Sequence, residues 1–469
     1  MNIIGAGLAG SEAALQLAAR GIGVRLVEMR PKVGTDVHKS GLCAELVCSN
    51  SLKSTKPESA AGMLKQELDE LDSFLYGCAL ENRVAAGGAL AVDRDLFAQH
   101  VTNLIDESPN IERINAQALC VNHDGSIIVD AATQVGTALV PAGDALIIAS
   151  GPLTSAALSE NLEQILGCCN LAFFDAAAPV VMADSLDMSK LFRQSRYEDD
   201  SVGDYLNAPF NKQEYQDFIE ALVSADRVIR RDFETKDLFQ ACQPIEEIAR
   251  KGADAPRFGA LKPVGLTDPA TGHRPWAALQ LRAEDAHRQS YNLVGFQTNL
   301  TFSEQKRVFR MIPGLQEAEF ARFGVMHRNT FVEAPALLDG SLLLKGDAAE
   351  KFNVPILIAG QLAGTEGYCE AIRSGLHAAI TATARLQGKT APPLPVETAF
   401  GALMSYASDA ATEGYQPMHV NFGIMVPLPQ KIRNKQQRYQ AYAQRGVEAL
   451  NRYKDELALA GLLMQDAQR

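Results

Sequence analysis

The chain has 469 residues, which is more than a single hydrophobic core normally serves, so we expect two domains or one domain with a large insertion. With 47% hydrophobic and 21% charged residues it has an ordinary globular composition. No apolar run approaches the roughly 20 residues that span a bilayer, so we expect no membrane segment, no secretion and a cytoplasmic location. The net charge of −12 argues against nonspecific nucleic-acid binding, although a local basic patch could override it.

The cysteines and histidines do not form a recognisable metal site. Eight cysteines occur without a CxxC pair, and a chain of this size does not depend on a disulfide framework. Reduced thiols are therefore expected. No Cys/His group has zinc spacing, so no metal is predicted.

The first thirty residues have the pattern of a dinucleotide-binding βαβ unit. We predict a strand, a helix and a second strand at Asn2–Ile4, Ser11–Arg20 and Val24–Glu28. In the GxGxxG turn, Gly5 permits the tight turn, Gly7 lets the backbone approach a pyrophosphate, and Gly10 lets the helix pack on the strand. The residues of this turn that we predict to contact the cofactor are Gly5, Ala6, Gly7, Leu8, Ala9 and Gly10. Glu28 is placed to bind an adenosine ribose, which favours FAD or NAD over NADP.

The next segments continue an α/β pattern. An amphipathic helix is predicted over Pro57–Leu75 and a strand over Ala89–Val92. Asp93 or Asp95 can cap the helix that follows. Asp144–Gly151 reads as a buried strand, and its final glycine, Gly151, is expected near the cofactor.

The character of the chain changes after about Leu153. Charged helical stretches, Lys212–Leu222 and Glu304–Met311, alternate with strands and turns, which indicates an inserted second domain. Ile356–Ala379 then returns to a buried strand, a glycine-rich turn and a small-residue helix. This segment is built like the first one, so we expect Gly360 and Gln361 to contact the cofactor.

The stretch Gln430–Val447 is basic. It contains five basic and no acidic residues, interleaved with tyrosines: Lys431, Arg433, Lys435, Arg438 and Arg445, with Tyr439 and Tyr442. Two interpretations remain open, a solvated helix face and a contact with RNA phosphates.

Two separate cysteines are candidates for chemistry. Cys48 and Cys242 both lie at apparent strand or loop ends, although a free cysteine is more often an inert buried side chain. A thiolate that adds to carbon 6 of a uracil makes carbon 5 nucleophilic, and a base must later remove the proton at carbon 5. His327 is either a structural histidine or part of the site. Arg282 either forms a structural ion pair or holds a carboxylate such as a folate glutamate tail.

Ten motifs together resemble the TrmFO family of folate- and FAD-dependent tRNA (uracil-5-)-methyltransferases. They run in order from residue 5 to 423: GAGLAGSEAA, ELVCSNSLK, GGALAVDR, ASGPLTS, DAAAPVV, LKPVGL, VGFQTNL, GVMHRNTF, AGQLAGTEGY and QPMHVNFG. The resemblance implies that 5,10-methylenetetrahydrofolate gives its one-carbon unit through reduced FAD to carbon 5 of uridine 54 in the tRNA T-loop. NADH or NADPH would supply the electrons.

The resemblance also implies roles for individual residues. Cys242 matches the cysteine that attacks the uracil, and Cys48 matches a second functional cysteine that acts as base or flavin partner. His327 is the candidate for stacking on the folate, with Arg282 and Tyr368 as further folate or substrate contacts. The stretch after residue 425 matches no motif of the family.

We therefore expect a Rossmann-like α/β FAD-binding domain of the GidA and glutathione reductase type with an inserted α+β domain. The FAD-binding domain comprises residues 1–152 and 325–425, the insertion 153–324, and a basic helical tail 426–469. Three alternatives remain: the same chemistry on ribosomal RNA, a GidA-type tRNA-modifying flavoprotein that needs a partner protein, and a flavin oxidoreductase acting on a small molecule.

Overall fold

A computed structural model describes residues 1–35, 37–130, 136–167, 171–196, 203–228, 243–412 and 415–464, without the side chains of 171–175 and 326–328. The strands are β1 (Asn2–Ile4), β2 (Val24–Glu28), β3 (Ser51–Ser54), β4 (Arg83–Val84), β5 (Ala89–Val92), β6 (Ile111–Asn115), β7 (Ala118–Val121), β8 (Ile127–Asp130), β9 (Thr137–Val140), β10 (Leu146–Ile148), β11 (Leu171–Ala176), β12 (Val180–Met182), β13 (Phe192–Arg193), β14 (Leu206–Phe210), β15 (Ala277–Ala283), β16 (Ser290–Leu293), β17 (Phe320–Arg322), β18 (Met326–Phe331) and β19 (Ile356–Ile358). The α-helices are α1 (Leu8–Ala19), α2 (Ala60–Glu70), α3 (Phe74–Glu81), α4 (Arg94–Glu107), α5 (Ala156–Leu166), α6 (Lys212–Ser224), α7 (Ile245–Lys251), α8 (Phe302–Phe309), α9 (Ala334–Leu337), α10 (Gly346–Glu350), α11 (Tyr368–Leu386), α12 (Ala399–Ser408) and α13 (Lys435–Ala460).

The first hydrophobic core surrounds a five-stranded parallel sheet of order β19-β10-β1-β2-β6. The strands β1, β10 and β19 read NII, LII and ILI and are completely buried, as expected for a sheet covered on both faces. Two small antiparallel sheets, β7-β8-β9 and β3-β5-β4, flank it.

Two helices with many small residues, α1 and α11, pack tightly against each other beside this sheet. A methyl group on Gly375 of α11 would lie 2.1 Å from the carbonyl oxygen of Ala9 in α1. Only glycine allows this approach, which brings the segment around residue 360 to the same sheet edge as the first glycine turn. The segment Ile356–Ala379 therefore lies beside the first one, with β19 paired to β10, while its predicted contact with the cofactor stays a prediction.

The second hydrophobic core lies around a six-stranded antiparallel sheet of order β13-β14-β15-β16-β12-β17. Its centre is aromatic: the ring of Phe218 lies 5.4 Å from Phe210 and 6.1 Å from Phe296. The pair β11 and β18 forms a separate antiparallel ribbon. The predicted α/β class with a parallel sheet and a second α+β part is confirmed.

The prediction of one helix over Pro57–Leu75 is wrong. The first helix, α2, ends at Glu70, Asp72 has a positive φ of 56°, and Ser73 caps α3. The cause is tertiary, because the buried carboxylate of Glu12 accepts hydrogen bonds from the Ser73 hydroxyl and the Leu75 amide. Asp93, rather than Asp95, caps α4 by accepting from the Leu96 amide at 3.1 Å.

Candidate active site

A cavity of about 440 Å³ opens at the carboxyl ends of the parallel strands. That edge is where open α/β sheets bind their ligands. Predicted residues from distant parts of the chain line it together: Gly5, Gly7, Leu8, Ala9, Glu28, Cys48, Gly151, Gly360, Gln361 and Tyr368. None of the helices that the structure describes is long and apolar enough to cross a membrane.

The three glycines of the first turn have the three different environments that their spacing predicts. A methyl group on Gly5, whose φ is +97°, would lie 2.5 Å from the Ala149 carbonyl oxygen. A methyl group on Gly10 would lie 1.8 Å from the Gly5 carbonyl oxygen. Gly7, by contrast, has no neighbouring atom within 4 Å of such a methyl group, so open space remains where a ligand can approach the backbone.

Glu28 is held at the end of β2 by its neighbours. Its carboxylate accepts hydrogen bonds from the Ala6 amide at 2.7 Å and from Arg30 Nε at 2.8 Å. Burial acts to raise the pKa of Glu28, but the charge and hydrogen bond of Arg30 and the Ala6 amide outweigh it and lower the pKa. The ionised carboxylate is therefore stable beside the glycine turn.

These features fit the adenosine and pyrophosphate of a dinucleotide such as FAD. The start of α1 presents main-chain amides, whose partial positive charge suits phosphate, and Gly7 as N-cap provides no side-chain cap that would compete. Glu28 lines the cavity at the end of β2, and its role in binding a ribose stays a prediction. Beside the start of α1 the Gly360 amide donates to the Ser374 hydroxyl at 2.6 Å, and the Gln361 amide group donates to Glu366.

Cys48 lies on a short segment, Leu46–Ser49, that we call the Cys48 turn. The hydroxyl oxygen of Tyr368 accepts from the amides of Cys48 at 2.9 Å and Ser49 at 3.0 Å. The pKa of Tyr368 is raised, first by burial and then by Cys48.

Two guanidinium groups donate hydrogen bonds to the main-chain carbonyl oxygens of the same turn. Arg94 donates to the Leu46 carbonyl oxygen and Arg322 to the Val47 carbonyl oxygen, both at 3.2 Å. Arg94 also forms a buried ion pair with Glu284, with atoms 2.5 Å apart. The main chain of the Cys48 turn is therefore held by residues from both parts of the molecule.

Cys48 differs from the other cysteine in the cavity wall, Cys369. The Cys48 side chain is half-buried, and its Sγ lies 3.9 Å from the Ala176 carbonyl oxygen. Cys369 is buried, and burial raises the pKa of its thiol to about 11. Cys48 is the better placed of the two to react.

The other predicted site residues are distributed differently. Arg282 is 6% exposed and donates through Nε to Asn50 Oδ1 at 2.7 Å, and it does not line the cavity. This contact favours its structural interpretation, while its folate role stays a prediction. Cys242 and the side chain of His327 lie outside the described residues.

The residues on either side of the Cys242 segment are anchored to one stretch of chain. The Val228 amide donates to the Asn299 carbonyl oxygen, and the Ile245 amide donates to the Gln297 carbonyl oxygen, each at 2.8 Å. Gln297 itself lines the cavity. Ile245, which follows this segment in the chain, is therefore held next to a residue that lines the cavity.

Several residues that line the cavity were not predicted from the sequence: Arg30, Lys53, Asn329, Glu366 and His419. The sequence around Glu28 contained one usable signal, since Arg30 follows Glu28 by two residues and can pair with it. The others lie on strands β3 and β18 and in two loops, and their proximity depends on tertiary folding. No group of three or more metal-binding side chains occurs in the part of the chain that the structure describes.

Comparisons with known proteins agree with this geometry. The family described as Glucose inhibited division protein A matches residues 1–390. A Carboxydothermus hydrogenoformans protein named methylenetetrahydrofolate--tRNA-(uracil-5-)-methyltransferase TrmFO is 49% identical over 97% of this chain and 98% of its own length. A Geobacter sulfurreducens protein of the same name is 48% identical over 93% of this chain and 95% of its own.

Among solved structures, this chain resembles GidA of Aquifex aeolicus with a TM-score of 0.68 at 15% identity. The similarity covers 100% of this chain and 74% of that one. At this level of identity it supports the fold alone.

Proposed function

This chain belongs to the GidA family and, within it, to the TrmFO group, and from that premise we propose that it methylates carbon 5 of uridine 54 in the tRNA T-loop. The observation that carries the proposal is the cavity itself, because the dinucleotide-binding glycines and the Cys48 turn line the same space. Flavin oxidoreductases with reactive cysteines often use a CxxC pair, which this sequence lacks.

In this proposal bound FAD, once reduced by NADH or NADPH, supplies the redox chemistry that carries the one-carbon unit of 5,10-methylenetetrahydrofolate to the uracil. The overall reaction consumes two electrons and two protons for each methyl group and releases tetrahydrofolate. The residues proposed to hold the cofactor are those of the glycine turn, Glu28, Gly151, Gly360 and Gln361.

The two thiols divide the chemistry at the uracil. Cys242 is proposed to add as thiolate to carbon 6, which makes carbon 5 nucleophilic, and to leave again when the carbon 5 proton is removed. Cys48 is proposed to act as the base or as a partner of the flavin. Tyr368 and the two arginines behind the Cys48 turn would orient it.

The target uridine must leave the folded T-loop before it can reach these groups. Flipping a base out costs a few kcal/mol, which contacts to phosphates and neighbouring bases must offset. His327 is proposed to stack on the folate, and Arg282 and Tyr368 remain candidate folate or substrate contacts.

The direct test is incubation of the FAD-loaded protein with unmodified tRNA transcript, methylenetetrahydrofolate and NADH, followed by mass spectrometry of the RNA. We expect 5-methyluridine at position 54, and we expect Cys242→Ala to abolish it with flavin retained. Cys120→Ala is a matched control, because Cys120 is a half-exposed cysteine that does not line the cavity.

Other products would redirect the proposal. Methylation of ribosomal RNA but not of tRNA would show that ribosomal RNA is the substrate. Modification of the wobble uridine that requires a second protein would favour a GidA-type role. Rapid NADH oxidation that needs neither folate nor RNA, with no methylated product, would contradict it.

A further inference from the structure

The charges of the last helix, α13, are divided between its ends. From Tyr415 to Val447 the chain contains five basic residues and no acidic one, whereas the acidic residues Glu448, Asp455 and Glu456 all follow. The side chains of Lys431, Arg433 and Lys435 are exposed. In a chain with a net charge of −12, this is a marked local concentration of positive charge.

The positions of these charges are unfavourable for the stability of the helix. The amino end of a helix carries partial positive charge, so cations there cost about 0.3–1 kcal/mol each and carboxylates are preferred. The first turn of α13 contains no acidic residue, and Lys435 and Arg438 lie near its start. None of the five basic side chains forms an ion pair with a carboxylate among the described residues, so their charge is available to an external anion.

This basic end is attached to the wall of the active-site cavity. His419 lines the cavity, and three residues later Phe422 stacks on Tyr439 of α13 with ring centroids 4.1 Å apart. Arg445 donates to the Val426 carbonyl oxygen at 2.6 Å, which fixes the connecting segment on the helix. Lys435 Nζ lies 5.5 Å from the Tyr439 ring centroid.

The other half of α13 anchors the helix to the body of the protein. Tyr453 is 1% exposed and packs in a cluster with Leu376, Ile380 and Leu450. Lys454 forms an ion pair with Glu70 of α2. The basic end is therefore held in a fixed position beside the cavity rather than on a loose tail.

We propose that Lys431, Arg433, Lys435 and Arg438 form a docking strip for the phosphate backbone of the RNA whose uridine enters the cavity. The inference rests on the proposed function for its choice of ligand. The strip is a local basic surface on a chain whose net charge is acidic. Of the two interpretations of the basic stretch, a solvated helix face and a contact with RNA phosphates, the proposal adopts the second.

The test measures binding of an unmodified tRNA transcript to the FAD-loaded full chain by fluorescence anisotropy between 50 and 300 mM KCl. The test variant is Lys431→Ala/Arg433→Ala/Lys435→Ala. Each lost phosphate contact should make the slope of log K against log salt shallower by about 0.7–0.9, so for three contacts we expect a slope shallower by about 2–3 and an affinity at 100 mM salt lower by about 100-fold or more. Flavin content reports folding. Arg452→Ala is the control, because Arg452 is exposed on the same helix beyond the basic stretch.

A triple variant with the wild-type slope and affinity would overturn the proposal, as would an Arg452→Ala variant that loses as much affinity. If the triple variant loses binding to vesicles containing 30% phosphatidylserine that the wild type binds, while its tRNA binding is unchanged, the proposal is overturned in favour of a membrane surface as the ligand. If the wild type binds tRNA through the strip but yields no 5-methyluridine, the strip is supported and the proposed methylation fails. If the wild type and the triple variant methylate tRNA with the same KM, the proposed docking strip is refuted while the proposed methylation stands.

Discussion

At the scale of single residues, Cys48 and Tyr368 are 320 positions apart, yet one hydroxyl oxygen accepts two amides of the Cys48 turn. The sequence predicted both residues as parts of a site, but it could not predict their relation. A hydrogen bond between distant residues leaves no local pattern. For the same reason Arg94 and Arg322, which hold the carbonyl groups of that turn, were not predicted at all.

Tyr368→Phe tests this relation because it keeps the ring and removes only the acceptor. Leaving buried amides unpaired costs about 1–3 kcal/mol, so we expect kcat/KM to fall about 10- to 100-fold through loss of orientation at Cys48. We also expect a changed rate of iodoacetamide labelling at Cys48, measured by peptide mass spectrometry, with flavin content retained.

The matched control is Tyr406→Phe, since the Tyr406 hydroxyl donates to the Gln416 carbonyl oxygen at 3.1 Å and does not line the cavity. Unchanged kcat/KM together with unchanged labelling in Tyr368→Phe would show that Tyr368 does not position the turn.

At the scale of elements, periodicity predicted the strands β1 and β2 to the residue, because buried parallel strands are short apolar runs bounded by glycine. It failed where a tertiary contact decides a boundary, as at the break between α2 and α3. The start of α7, where no element was predicted, is also held by tertiary contacts. Glu246, on its first turn, is completely buried and accepts hydrogen bonds from the Asn299 amide at 2.6 Å and the Thr298 hydroxyl at 3.0 Å.

Burial raises the pKa of Glu246 from an ordinary 4.5 to about 7. Between these values the folded protein holds more protons than the unfolded chain, so this group stabilises the fold at low pH and loses that contribution as pH rises. Relative to Glu246→Gln, the free energy of unfolding of the wild type should fall by at most about 3 kcal/mol between pH 4.5 and 7.5. Urea unfolding across this range measures it.

Glu304→Gln provides a control of opposite sign. A hydrogen bond from Arg307 lowers the pKa of Glu304, so its contribution is present above its ordinary pKa and lost as pH falls. That effect should be smaller, because the pair lies at the surface. Parallel pH curves for the wild type and Glu246→Gln would refute the assignment at α7.

At the scale of the whole molecule, length and composition predicted a second folding unit, and a separate core does lie between residues 181 and 320. The contacts that join the two cores could not be predicted. Arg94 and Glu284 meet across them as a buried pair, and Asn50 donates to both the Val92 and the Ala283 carbonyl oxygens. The predicted boundaries at residues 152, 325 and 425 stay predictions.

Removing one partner of a buried ion pair leaves the other charge without compensation. We expect Glu284→Ala to lower the free energy of unfolding by about 3–5 kcal/mol, seen as a lower Tm in calorimetry of the FAD-loaded protein. Glu304→Ala, which breaks a surface pair, should cost less than about 1 kcal/mol. Equal shifts in the two variants would argue against a role for Arg94 and Glu284 in joining the cores.

The arrangement of Gly5, Gly7 and Gly10 has a consequence for how this protein tolerates mutation. Main-chain amides at the start of α1, rather than side chains, are expected to bind the phosphates. The identities of Leu8 and Ala9 therefore contribute little to phosphate recognition, and substitutions there should be accepted as long as the helix still packs. Gly5 and Gly10 admit no side chain without displacing a carbonyl oxygen, whereas Gly7 has room for one that would enter the ligand's space. Two of the three glycines are thus constrained by the fold, whereas no described atom constrains Gly7, which we predict to be constrained by the cofactor.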